Sequence, residues 1–290
     1  KRQWQMGDLE TARAHLEQAF EIERRLLGED NPDVLVTMGN LTAVIRQLGF
    51  LEEATESRRK MLDIQRESLG DEHPHTLITM TNLAVTLADQ EQYDESVALL
   101  RTAIAAHGRI DGEEHPRTLM AMHNLGTIYT ERGDLSSAEE VHRRSLTGLR
   151  GVFGEDNPWT MHAIGALAGV YCRQEKFAEA EALNTEFNES ALSAFPPDHP
   201  HIYRYRIAHT GCLVRQQLFD RAGQLLFALL TEVEQAHGAN SRYSRHVLQQ
   251  LADLYDASGR TDEAEKFRRE IALRQAAAEA ADSGQAVGGD

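Results

Sequence analysis

Prolines 32, 74, 116, 158 and 200 stand 42 residues apart, without an insertion or deletion between them. Each closes a similar stretch: Leu27-Gly28-Glu29-Asp30-Asn31-Pro32, Leu69-Gly70-Asp71-Glu72-His73-Pro74, Asp111-Gly112-Glu113-Glu114-His115-Pro116, Phe153-Gly154-Glu155-Asp156-Asn157-Pro158, and a degenerate Phe195-Pro196-Pro197-Asp198-His199-Pro200. A fixed period of this length restricts the chain to an array of repeats. Gly closes a helix by taking the left-handed conformation. Acidic residues favour the next helix N-terminus, and Pro fits its first turn. The stretch therefore ends one helix and starts the next.

The period divides the chain into a half repeat, 1–28, and full repeats at 29–70, 71–112, 113–154, 155–196, 197–238 and 239–280, with 281–290 expected as a flexible tail. Each full repeat reads as helix A, a turn and helix B, giving thirteen helices and no strands. The turn column is Gly7, Gly49, Glu91, Gly133, Glu175, Gln217, Gly259. Where Gly is missing, helix A is expected to end less cleanly. In helix A, Leu41, Leu83, Leu125, Leu167, His209 and Leu251 share a phase, four residues before Ile45, Leu87, Tyr129, Tyr171, Leu213 and Tyr255. That spacing is one turn of one helix face, the core face. Small columns, Thr42/Ala84/Gly126/Ala168/Thr210/Ala252 and Ala12/Ala54/Ser96/Ala138/Ala180/Ala222/Ala264, let helix backbones approach closely. In repeat five Arg206 and His209 enter core columns, where polar groups must find partners or shift the helix.

The net charge of −16 argues against binding nucleic acid or a membrane surface, and no apolar run is long enough to span a bilayer. Cys172 and Cys212 show no pairing pattern, which fits a reducing, cytoplasmic setting. His73, His115 and His199 share their phase with Asn31 and Asn157. They read as helix-start residues rather than metal ligands. No nucleophile motif or phosphate loop is present, so no catalytic residue, metal or cofactor is expected.

The run Asn124-Leu125-Gly126-Thr127-Ile128-Tyr129 followed by Ala138 resembles the tetratricopeptide repeat. The 42-residue unit with its Gly-acidic-acidic-His/Asn-Pro linker looks like the kinesin light chain type. The resemblance implies an all-α fold, a right-handed α-solenoid of helix-turn-helix repeats, acting as a non-catalytic protein-interaction scaffold. It also implies that helix A lines a concave groove, where Asn40, Asn82 and Asn124 would hydrogen-bond the backbone of an extended peptide. Helix A columns further along add His162, Arg173, Arg204, Arg215 and His246, a basic region suited to an acidic segment of the ligand. Two other roles remain open: a regulatory or sensor arm of a larger signalling protein such as a kinase or nucleotide-binding ATPase, or self-assembly through the ends of the solenoid.

Overall fold

The structure, a computed structural model, describes residues 6–194 and 200–285. Among these residues it forms thirteen helices and no strand. They are α1 (Met6–Leu27), α2 (Pro32–Gln47), α3 (Leu51–Leu69), α4 (Pro74–Asp89), α5 (Tyr93–Ile110), α6 (Pro116–Arg132), α7 (Leu135–Phe153), α8 (Pro158–Arg173), α9 (Phe177–Ala194), α10 (Pro200–Arg215), α11 (Phe219–His237), α12 (Arg242–Ala257) and α13 (Thr261–Gln285). The degenerate linker ahead of Pro200 lies outside the described residues. Helix α13 continues to Gln285, past the expected start of the tail.

The linkers work as their chemistry predicts. Gly28, Gly70, Gly112, Gly154 and Gly238 all take φ between +80° and +104°. Asn31 and Asn157 accept the backbone N–H two residues on, each at 2.9 Å. His73 and His115 do the same through Nδ1, at 3.3 Å. An imidazole nitrogen thus replaces an amide oxygen as the N-cap acceptor. A second device was not read from sequence. The hydroxyls of Thr76, Thr118 and Ser244 donate back to the carbonyls of Gly70, Gly112 and Gly238, at 2.8, 2.8 and 2.9 Å.

The turn column departs from expectation. Glu91, Glu175 and Gln217 take φ of 60°, 62° and 59°, the left-handed conformation that Gly49, Gly133 and Gly259 also adopt. The repeats without Gly end helix A in the same way, at the steric cost a Cβ imposes there.

The chain packs as two compact units, residues 1–152 and 153–290. In the first, Leu41, Ile45, Leu83, Leu87, Leu125 and Tyr129 are buried, as their columns predict. A fully buried Leu contributes about 1.5–3 kcal/mol. Ser96, at an Ala phase, donates its hydroxyl to the Ala84 carbonyl at 2.6 Å. In the second unit Leu213, Leu226, Val247 and Leu251 centre the core. Both polar intruders of repeat five have partners: Arg206 pairs with Glu232, and His209 Nε2 lies 3.1 Å from Glu181. Cys172 on α8 and Cys212 on α10 are joined by a disulfide, with Cα atoms 5.7 Å apart. The two cysteines stand 40 residues apart rather than 42, so a search for equivalent positions misses the pair.

Candidate functional site

Helices α2, α3 and α4 of the first unit frame a cavity of about 680 Å³. Its walls come from two successive A helices, α2 and α4, and from the B helix between them in sequence. Asn40 and Asn82 both line it, together with Val36 and Ile78 one helical turn before them. All four are exposed. Residues four apart share a helix face, so each A helix offers one apolar side chain and one amide to the same space. Among the described residues, the side-chain amides of Asn40 and Asn82 make no hydrogen bond. Each amide retains two donors and an acceptor for a ligand.

The cavity is also polar. Arg46 lines it and grips Asp89 of α4 with both ends of its guanidinium, Nη2 to Oδ1 at 3.1 Å and Nε to Oδ2. This pair ties two A helices together. Glu131, in the column of Asp89, has its pKa raised by burial and by Asp89, with Arg46 opposing. Two further wall residues, Arg58 and Gln65 of α3, were not foreseen in sequence. A signal existed. Stacking helix B gives Leu16, Arg58, Leu100, His142, Asn184, Leu226 and Arg268 at one phase. Burial pulls the Arg58 guanidinium down to about 10, and the Arg46 charge acts in the same direction.

Asn124, half-buried on α6, does not line this cavity. The remaining candidates lie in the second unit. Arg173 on α8 and Arg204 and Arg215 on α10 are exposed. His162 is half-buried beside Trp159, ring centres 6.4 Å apart. His246 on α12 is exposed, with Nδ1 2.6 Å from the Tyr203 hydroxyl. The same hydroxyl lies 3.3 Å from the Tyr243 carbonyl, to which it donates, and burial raises the Tyr203 pKa. Among the described residues, no group of three His, Cys, Asp or Glu could hold a metal ion, and no helix is long and apolar enough to cross a membrane.

A tetratricopeptide repeat profile matches residues 3–49, 43–107 and 79–151. No curated protein sequence matches. Solved structures with a similar fold include kinesin light chain TPR-like repeats from Podosopora anserina, 21% identical, TM-score 0.63, covering 71% of this chain and 98% of that one. BtubC (BKLC) from P. vanneervenii is 15% identical, with TM-score 0.57 and coverage of 93% and 92%. A Rap protein complexed with Competence and Sporulation Factor is 16% identical, with TM-score 0.60 and coverage of 93% and 72%. At these identities the likeness is one of fold.

Proposed function

The chain belongs to the tetratricopeptide repeat family, and from that premise we propose that it is a non-catalytic scaffold whose first unit holds an extended peptide against its A helices. The observation that carries this reading is the pair of unbonded amides, Asn40 and Asn82, one repeat apart on the wall of a single cavity. An amide both donates and accepts, so it matches a peptide bond whatever the ligand's side chains. Val36 and Ile78 supply apolar contact at the same spacing. That a Rap protein of similar fold was solved with Competence and Sporulation Factor bound supports a ligand-holding role. In the second unit, exposed Arg204 and Arg215 would favour an acidic portion of a ligand.

The test is selection of random dodecapeptides by display on the intact chain. The expected result is a consensus that binds wild type and is lost on Asn40→Ala/Asn82→Ala. A consensus that binds the double variant as tightly as wild type would overturn the reading.

A further inference from the structure

Arg58 and Gln65 stand seven residues apart on α3, two turns along one face, with Met61 between them. Both are 5% exposed and both line the cavity shared by Asn40 and Asn82. Arg58 Nε and Gln65 Oε1 are buried, and neither has a hydrogen-bond partner. Buried polar atoms are seldom left in this state, and each calls for an explanation.

The fold itself does not require them. At the phase of Arg58 three repeats carry Leu16, Leu100 and Leu226 while the rest carry His142, Asn184 and Arg268, and at the phase of Gln65 Leu149 and Val233 stand beside polar residues such as Glu23 and His107. Apolar residues fill both positions without loss of the repeat. A buried guanidinium with no carboxylate is costly, because it gives up hydration without gaining a counter-charge. Its two charged neighbours do not resolve this. Arg46 repels it, and Asp89 attracts it without forming an ion pair, its carboxylate being held by Arg46. The one carboxylate lining the cavity, Asp30, makes no ion pair with Arg58.

We propose that this cavity is a socket for one acidic side chain of the peptide ligand, its carboxylate accepting from Arg58 Nε while an N–H of the same segment donates to Gln65 Oε1. The proposal rests on the groove reading above and assigns it a specificity-determining position. The ligand atoms supply what the two orphan groups lack, an acceptor at one end and a donor at the other. A charge-assisted bond formed in a buried socket is among the stronger kinds and is little screened by salt. Asn40 and Asn82 would hold the backbone, and α3, beneath the A helices, would read one side chain.

The experiment selects displayed random dodecapeptides on wild type and on Arg58→Leu, with Gln65→Leu as a second variant. Leu stands at equivalent positions in other repeats, so folding is retained, and circular dichroism checks it. Wild type should enrich Asp or Glu at one fixed position, and Arg58→Leu should lose that preference while still selecting peptides. For a selected peptide, changing that residue to its amide should weaken binding to wild type about tenfold and to Arg58→Leu by less than about twofold. An acidic position that persists in Arg58→Leu, or a wild-type consensus without one, overturns the socket and leaves the groove standing. If wild type selects no consensus at all, both readings fail.

Discussion

The imidazole of His142 on α7 occupies the space that a side chain on Gly126 of α6 would need. A Cβ at Gly126 would lie 2.7 Å from His142 Cε1 and Nε2. Gly126 belongs to the small column that holds Ala84 and Ala168, yet Ala does not fit beside this ring. In repeat two the equivalent pair is Ala84 and Leu100. Gly126→Ala should therefore destabilise by about 1–3 kcal/mol, by overpacking. His142→Leu alone removes a buried Nδ1 that has no partner, but also the ring's hydrogen bond to the Gly126 backbone, so it should cost no more than about 0.5–1.5 kcal/mol. The double variant rebuilds the repeat-two pair and should recover most of the loss. Urea unfolding of the four proteins gives the coupling directly. Additive losses would show that the two residues do not compete for space.

His142 also sets a pH dependence. It meets His123 edge to face, with centroids 5.3 Å apart. Burial pushes His123 down to about 4 and His142 to about 3, and the neighbouring His123 charge adds to the shift at His142. Both values lie below the ordinary 6.5 of the unfolded chain. Below that pH the unfolded state binds protons that the folded state refuses. Stability is therefore full above about pH 6.5 and is lost as pH falls toward 4, by about 1.4 kcal/mol per pH unit for each ring. Urea midpoints at pH 7.5 and 5.0 should separate wild type from His142→Leu, which retains only one such ring. Equal pH dependence in the two proteins would exclude these rings as its source.

The left-handed residues Glu91, Glu175 and Gln217 give a second stability test. A Cβ at positive φ costs about 1–2 kcal/mol, partly offset by the extra freedom of Gly in the unfolded chain. Glu91→Gly should raise stability by about 0.5–1 kcal/mol. Thermal unfolding checks it, and a lower midpoint would show that the Glu side chain makes a compensating contact.

These three turns also mark how far the sequence could be read. The prolines, the Gly linkers and the Leu and Ala columns were legible because each recurs, so one reading was checked at several equivalent places. His73 and His115 were recognised as caps because Asn31 and Asn157 share their phase. The conformation of Glu91 was not legible, since its φ is imposed by the helices on either side and not by its own preference. The cavity was half legible. The Asn column follows a family pattern on helix A. Arg58 and Gln65 sit on helix B at positions that repeats two and four fill differently, and only packing shows that they share a space with Asn40.

The disulfide was likewise hidden, because Cys172 and Cys212 are 40 residues apart rather than one 42-residue period. Its presence removes the cysteines as an argument for a reducing compartment. A closed loop of this length stabilises by about 4 kcal/mol through restriction of the unfolded chain. Reductant should lower the unfolding midpoint of the second unit, followed through Trp159 fluorescence. A midpoint that does not move, with two titratable thiols under oxidising conditions, would rule the bridge out.

The amide contacts proposed for the first unit and the arginine contacts proposed for the second should respond differently to salt. An Asn amide bonding a peptide backbone is a neutral contact, so Asn82→Ala should cost about 0.5–1.5 kcal/mol for a selected peptide at any ionic strength. Arg204 is exposed on α10, and its attraction for an acidic ligand segment is Coulombic and partly solvated. The loss from Arg204→Ala should be greatest in low salt and should fade as the Debye length shrinks to about 8 Å near physiological ionic strength. Affinity is measured by titration across a salt series for wild type and the two variants. An unchanged affinity in Asn82→Ala would assign the Asn column to some other role. If Asn82→Ala weakens binding and Arg204→Ala is silent at every salt concentration, the peptide is held by the first unit alone, and the basic residues of α8 and α10 are solvated surface.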